Sequence, residues 1–362
     1  MTDSSWIRTL CLEHGFPLFG VVRAVEAPRY ERFLEWLGRG HHGSMAYLEN
    51  RKEAYAHPSG VLEGCESLIM LGMPYYSHPE TLPNKAEQMQ VGSGVVVDSA
   101  VPKTESRIGN YAVGPRDYHD IIREQLNSIC DVLRERVNGN YRGVVDTAPL
   151  LEREFAELAG LGWVGKNTLL LNRDWGSYFF LAAILTDVEL EATDQIESDH
   201  CGSCTACLDA CPTDAFPQPR VLDATRCISY LTIEHRGESD ELLRSQMGDW
   251  VFGCDVCQIV CPWNRKRPDA GMSWFEPEDM ETKTSLEHWL GLDDQTFRRL
   301  YRKTPFFRTK LAGMQRNAMV AAVNRNRVDL LSKIEPFCTH EDAILRSTAD
   351  WAVKCLKGWI VM

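Results

Sequence analysis

Cys201-Gly-Ser-Cys204-Thr-Ala-Cys207-Leu-Asp-Ala-Cys211-Pro212 is the stretch on which the reading of this chain turns. Three cysteines with two residues between them, a fourth after three more, and a following proline have the spacing of a bacterial four-iron ferredoxin run. Three thiolates so placed wrap a tight loop around three corners of a cubane, and the fourth points away to serve a second cluster. A second half follows, Cys227 and then Cys254-Asp-Val-Cys257-Gln-Ile-Val-Cys261-Pro262. Its first ligand has drifted upstream by an insertion, but the Cys-Pro ending is kept. Crossed ligation assigns Cys201, Cys204, Cys207 and Cys261 to one [4Fe-4S] cluster and Cys211, Cys227, Cys254 and Cys257 to the other. Two structural zinc sites are the alternative, and they explain neither the third close cysteine nor the two Cys-Pro endings.

Working outward, eight of the 13 cysteines fall within this segment of a 362-residue chain. A disulfide scaffold would be short, secreted and rich in cysteine throughout, so the concentration points to metal. Cys11, Cys65, Cys130, Cys338 and Cys355 are scattered and read as small buried hydrophobes. With 44% hydrophobic and 25% charged residues, disorder and a collagen-like fibre are excluded, and the length suits two to three domains. No apolar run approaches the ~20 residues that span a bilayer. The opening Met1-Thr-Asp-Ser-Ser-Trp6 lacks a basic region followed by an apolar core, so the cytoplasm is the expected location, with no membrane partner.

The pattern predicts an α+β chain in three parts. Residues 1–192 alternate helix-like and strand-like stretches and form an α/β domain. Short strands are expected at 19–24, 68–73 and 142–145, and a long buried one at 178–190. A helix over 117–137 follows from Ile121, Ile122, Leu126, Ile129, Cys130, Leu133 and Val137 at three- and four-residue steps. Pro149 is placed in the first turn of a helix over 150–159. Residues 77–106, with several Gly and Pro and no period, read as a loop insertion. Residues 193–280 make a ferredoxin-like domain with both clusters. Residues 281–362 make a short C-terminal helical-repeat cap, with helices around 318–323, 330–334 and 343–356.

Two clusters move electrons singly, and a bare ferredoxin needs neither ~190 residues in front nor ~100 behind. The electrons are expected to be used inside this chain. Charge adds a second clue. Between Gln295 and Val328 stand nine basic residues and no acid, in a chain of net charge −12: Arg298, Arg299, Arg302, Lys303, Arg308, Lys310, Arg316, Arg325 and Arg327. Arg265-Lys266-Arg267 adds a smaller basic spot. A local patch on an acidic body suits an anionic partner held through phosphates. Interleaved Phe297, Tyr301, Phe306 and Phe307 could stack on splayed bases, although aromatics at helical spacing more often belong to a core.

With these features in place, the chain resembles epoxyqueuosine reductase, an iron–sulfur and cobalamin enzyme that completes queuosine in the wobble position of tRNA. The resemblance rests on Val145-Asp-Thr-Ala-Pro-Leu-Leu-Glu-Arg153, Leu161-Gly-Trp-Val-Gly-Lys-Asn-Thr-Leu-Leu170, Cys227-Ile-Ser-Tyr-Leu-Thr-Ile-Glu234 and Gln315-Arg-Asn-Ala318, and it runs from about Arg8 to Lys357. Where the family often has Tyr-Ala-Trp-Gly-Arg-Asp-Tyr-His, this chain reads Tyr111-Ala-Val-Gly-Pro-Arg-Asp-Tyr-His119. The resemblance implies a cobalamin-binding N-terminal domain and a HEAT-like, tRNA-contacting tail. It implies a base-off cofactor without a histidine ligand, in line with Asp117-Tyr118-His119 lacking the rest of the Asp-x-His-x-x-Gly motif. By position, Tyr111, Asp146, Leu170, Leu181, Ser229 and the Cys254–Cys257 turn, through the backbone of Asp255 and Val256, would line the corrin. Arg308, Lys310 and Arg316 would contact tRNA carrying epoxyqueuosine, and an external donor would supply electrons to a monomeric enzyme.

Removing an epoxide oxygen as water takes two electrons and two protons. The family's general acid matches Asp146, whose pKa burial against an apolar cofactor face would raise. Read from residues alone, Asp146 instead caps a helix starting near Pro149, which would lower its pKa. A corrinoid reductive dehalogenase and a non-enzymatic electron carrier are the two other classes these features allow.

Overall fold

Four strands form the main sheet of the computed structural model, which describes residues 5–75, 105–193, 197–265, 268 and 273–360. In chain order the strands are β1 (Leu18–Arg23), β2 (Ser67–Pro74), β3 (Arg107–Ile108), β4 (Tyr141–Val144), β5 (Trp163–Val164), β6 (Leu170–Leu171), β7 (Phe179–Thr186) and β8 (Trp250–Phe252). The sheet order is β1-β2-β7-β4, and every pairing in it is antiparallel, with Ser67 and Tyr141 both opposite Thr186.

That antiparallel sheet corrects the α/β expectation for the N-terminal part. Continuous apolar strands usually signal a parallel sheet because helices cover both faces. Here both faces are covered without parallel strands, so the run reads the same. Ile69, Leu71 and Met73 pack with Ile7, Ile122 and Leu126 of the helices Ser5–Glu13 and Tyr118–Arg136. Leu68 and Met70 face the other way, onto Phe155 and Ala156 of the helix Glu152–Leu158. The alternation is the period of two that a pleated strand imposes.

Helix Tyr118–Arg136 buries the six residues Ile121, Ile122, Leu126, Ile129, Cys130 and Leu133, and Asp117 is its N-cap, accepting from the His119 N–H. The next helix departs from expectation. It begins at Glu152, and Pro149 lies in the bend before it rather than in its first turn. The reason is a tight turn at the end of β4: Asp146 takes φ +54°, and Thr147 N–H and Leu150 N–H bond back to Val145 and Ala148. The backbone is spent on that turn, so helix cannot start sooner.

In the cysteine-rich segment the short helices Ala206–Asp209 and Val256–Ile259, one from each half, pack on each other. β8 from this segment pairs in parallel with β3. Its Val251 and Phe252 join a core made by the C-terminal helices Leu286–Gly291, Lys310–Asn324 and Ala343–Ile360. Phe297, Tyr301 and Phe306 are buried there, so they are core residues and not a base-stacking platform. The insertion at 77–106, apart from Glu105 and Ser106, and the Lys266-Arg267 part of the second basic spot lie outside the described residues. Among the described residues no helix is long and apolar enough to cross a membrane.

Candidate active site

The eight cysteines lie close enough for several of them to influence one another electrostatically. Cys207 senses Cys201 and Cys204, and Cys261 senses all three. Cys227 senses Cys211, Cys254 senses Cys227 and Cys257, and Cys257 senses Cys227 and Cys211. Cys261 is thus electrostatically close to the first run, and Cys211 to Cys227 and Cys257. Cys257 also senses Cys207, so the two runs adjoin.

Burial first, and neighbouring sulfurs after it, push the Cys207, Cys254 and Cys257 thiols up, and Cys261 reaches about 11. Buried thiols of this kind do not ionise unaided, and a bound metal cation is the chemistry that suits them. Among the described residues no three His, Cys, Asp or Glu side chains converge as they would on a single metal ion. The Ala215 N–H also donates to Cys211 Sγ at 3.3 Å, the kind of bond that tunes a cluster's potential.

The stretch from Leu161 to Leu170 grips these loops. Lys166 Nζ donates to the carbonyls of Gly202 (2.7 Å) and Cys204 (2.9 Å), and Asn167 Nδ2 to that of Cys257 (3.4 Å). Trp163 meets Trp263 edge-on with centroids 5.0 Å apart. Gly162 has φ +156°, and a Cβ there would sit 1.9 Å from the Leu171 carbonyl oxygen, so only glycine allows this approach.

Asp146 sits where β4 turns away. Its backbone N–H donates to Glu152 Oε1 (2.8 Å), and its carboxylate accepts from Tyr118 Oη (3.0 Å) and faces His119 Nε2 (3.2 Å). On the other side of that ring, His119 Nδ1 lies 2.7 Å from Asp117 Oδ1. The Asp146 side chain is 61% exposed although charged and polar groups lie around it. Burial pushes its pKa up, but the bond and charge of His119 outweigh that and hold it below the ordinary carboxylate value. His119 shows the converse: burial pushes it down, the two carboxylates push it up, and the result is about 9. Glu152 takes the upward shift, to about 8, from burial and then from the Asp146 charge. Of the two expectations for Asp146, the helix cap is the one the structure contradicts, because the helix Glu152–Leu158 has Leu151 at its N-cap and no side-chain cap.

Arg153 joins the two regions. It donates to the Thr168 carbonyl (2.9 Å) and feels the charges of Glu152, Asp146, Cys257 and Cys227. Tyr111 lies edge-on to Tyr118 at 6.0 Å and is electrostatically close to Asp255 and Asp146, while Asp255 accepts from the Asn110 N–H at 2.7 Å. Thus Tyr111, Asp146 and Asp255 come together. Ser229 and Val256 are half-buried nearby in chain, on the helices Ile228–Ile233 and Val256–Ile259. Leu170 and the half-buried Leu181 pack into the sheet core that also holds Val144.

The basic tail is less free than its sequence implies. Arg298, Arg308, Arg325 and Arg327 pair with Asp294, Glu234, Asp249 and Asp329, and Arg327 also with Glu105. Arg316, expected at the tRNA surface, is only 6% exposed. It donates to the carbonyls of His235 (2.7 Å) and Leu231 (2.6 Å) and to Asn317 Oδ1, so it is a structural residue. Arg299, Arg302, Lys303 and Lys310 are exposed and have no ion pair among the described residues. Sequence reasoning missed Asp117, Tyr118 and His119 as one unit with Asp146, Lys166 as a clamp, and Glu234 as the partner of Arg308. The Asp-x-His spacing at a helix start was the available signal for the first.

A family model described as a 4Fe-4S double cluster binding domain matches residues 200–264, which makes this an iron–sulfur protein of the two-cluster class. A second, described as Epoxyqueuosine reductase QueG, DUF1730, matches residues 56–147. Epoxyqueuosine reductase of Pseudomonas aeruginosa is 37% identical over 345 residues, 94% of this chain and 91% of that one. The Cyclobacterium marinum enzyme is 37% identical over 309 residues, 84% of this chain and 91% of that one. A crystal structure of epoxyqueuosine reductase with an epoxyqueuosine-modified tRNA-Tyr stem loop superposes with a TM-score of 0.84 at 27% identity, covering 98% of this chain and 91% of that one. The chain belongs to the epoxyqueuosine reductase family.

Proposed function

We propose that this protein reduces epoxyqueuosine to queuosine at the wobble position of tRNA and releases the epoxide oxygen as water. The observation that carries the reading is that Arg153 feels the charges of Glu152 and Asp146 and also those of Cys257 and Cys227. The cysteines that would hold a cluster therefore lie within electrostatic reach of the carboxylate that would supply a proton. Family membership, and a relative crystallised with a modified tRNA stem loop, support the substrate.

The crossed sets Cys201, Cys204, Cys207, Cys261 and Cys211, Cys227, Cys254, Cys257 hold two [4Fe-4S] clusters fed by an external donor. Tyr111, Asp146, Leu170, Leu181, Ser229 and the turn at Asp255 and Val256 hold base-off cobalamin. When bound, that cofactor supplies a low-valent cobalt that reacts at carbon. Asp146 supplies a proton to the departing oxygen, and Arg308 and Lys310 bind tRNA phosphates. The parts divide as 1–192 for the cobalamin domain, 193–280 for the ferredoxin-like domain and 281–362 for a HEAT-like cap, in a cytoplasmic monomer.

The test is direct. Protein purified anaerobically and supplied with cobalamin is incubated with epoxyqueuosine tRNA and a reductant, and nucleosides are separated after digestion. Queuosine should accumulate in proportion to enzyme. Fully iron-loaded, cobalamin-bound protein that binds this tRNA and forms none overturns the reading.

A further inference from the structure

His119 has a carboxylate at each ring nitrogen, Asp117 Oδ1 at 2.7 Å from Nδ1 and Asp146 Oδ2 at 3.2 Å from Nε2. A neutral imidazole has one donor and one acceptor, so only the protonated ring satisfies both carboxylates. The ring is also aimed. Asp117 Oδ1 accepts from the His119 N–H at 3.0 Å, and the Asp117 N–H is tied to the Lys303 carbonyl at 2.7 Å. Tyr118 stacks on the ring, and its own ring is stacked on Phe180 with centroids 4.1 Å apart. The imidazole is 23% exposed, so water can reach it.

We propose that His119, aimed by Asp117, is the positioning residue that stores the proton Asp146 delivers; this rests on the function proposed above. As the epoxide C–O bond breaks and two electrons arrive from the external donor through the clusters, the Nε2 proton of His119 moves to Asp146 Oδ2 and on to the departing oxygen. The neutral imidazole takes a proton from solvent. The second proton follows the same route as the remaining C–O bond breaks and the C=C bond forms, and a second proton from solvent restores the imidazolium. Two electrons and two protons enter, an alkene and water leave, and both side chains end as they began.

The electrostatics agree. The groups facing His119 are Asp117, with Arg123 acting on it, then Asp146 and Glu152, with Arg153 behind them. With burial opposing them, the two nearest carboxylates hold His119 at about 9, while His119 holds Asp146 low. Asp146 is then an anion at neutral pH and must be loaded from its neighbour. A rate that needs protonated His119 is full below this value and falls as pH rises through it.

The experiment measures single-turnover conversion of epoxyqueuosine tRNA from pH 6 to 10 for the loaded wild type, His119→Gln and Asp117→Asn, with iron content, cobalamin spectrum and tRNA affinity measured for each. Gln keeps an amide donor toward Asp146 but cannot carry a proton. His119→Gln should lose about 100-fold in rate with tRNA affinity within about twofold, as expected for a lost proton-transfer group. Asp117→Asn should keep its rate at pH 6 and lose it at a midpoint at least about one pH unit below that of the wild type, since a negative neighbour has gone. A His119→Gln rate within about threefold of wild type, or an unmoved Asp117→Asn midpoint, overturns the proposal. If His119→Gln does not fold, the Asp117→Asn profile decides alone. Failure of the wild type itself would overturn the proposed function instead.

Discussion

Arg308 and Glu234 meet through two parallel hydrogen bonds, Nε to Oε1 at 2.8 Å and Nη2 to Oε2 at 3.0 Å. The acid comes from just after the helix between the cluster halves, and the arginine from the basic tail. The same guanidinium lies 5.7 Å from the ring centroid of Tyr47, so an exposed cation is fixed in direction before any partner arrives. If Arg308 and Lys310 contact phosphates, each Ala variant should weaken tRNA binding and reduce the slope of log affinity against log salt by about one. Fluorescence anisotropy across a salt series checks this, and unchanged slopes would remove both residues from the interface.

Arg316 should behave in the opposite way. Replacing it by Ala strips donors from the Leu231 and His235 carbonyls in a buried place, at a cost of about 3 kcal/mol. Thermal unfolding should shift downward, with the salt slope for tRNA unchanged in the folded fraction. A stable variant with a flattened slope would return Arg316 to the interface.

The contrast between these arginines shows where sequence stops informing. The cysteine pattern was legible because each run keeps two or three residues between its cysteines. The main strands and the helix Tyr118–Arg136 were legible from apolar periodicity, although the antiparallel order of the sheet was not. The fate of a charge was not. Nothing near Arg308 in sequence announces Glu234, and the acid-free window hid that Arg325 and Arg327 reach Asp249 and Glu105. Asp146 was legible only as a family position. Its surroundings depend on a left-handed turn and on His119, 27 residues earlier.

Asp146→Asn separates proton delivery from local structure. Asn tolerates φ +54° about as well as Asp, so the turn should survive. Turnover should fall by about 100- to 10,000-fold with clusters, cobalamin and tRNA binding intact. Near-normal single-turnover conversion by the loaded variant would refute the acid role.

Crossed ligation gives a pattern that sequential ligation does not. Reconstituted wild type should hold about eight irons, and Cys261→Ser about four. In that variant Cys201, Cys204 and Cys207 should become open to alkylation while Cys254 and Cys257 stay protected. Peptide mapping after iodoacetamide reads the difference, and the reverse protection would mean that each run binds its own cluster.

Gly162 allows a simpler check on stability. Its Cβ would collide with the Leu171 carbonyl, which neither strand can move without losing its pairing. Gly162→Ala should cost more than about 3 kcal/mol and lower the yield of folded protein. A melting temperature equal to that of the wild type would contradict the close approach.

Asn264 accepts from the Ser177 N–H at 2.7 Å and donates to the Gln258 carbonyl, Trp163 braces Trp263, and Phe252 lies in the C-terminal core. Among the described residues the cysteine-rich segment is therefore interlocked with both the sheet domain and the C-terminal helices. Unlike a stand-alone ferredoxin, it is not a transplantable cartridge. Excised, it would carry away bare tryptophan and phenylalanine faces and leave matching wounds on both neighbours, so the electron-carrying part and the rest of the molecule stand or fall as one inheritance.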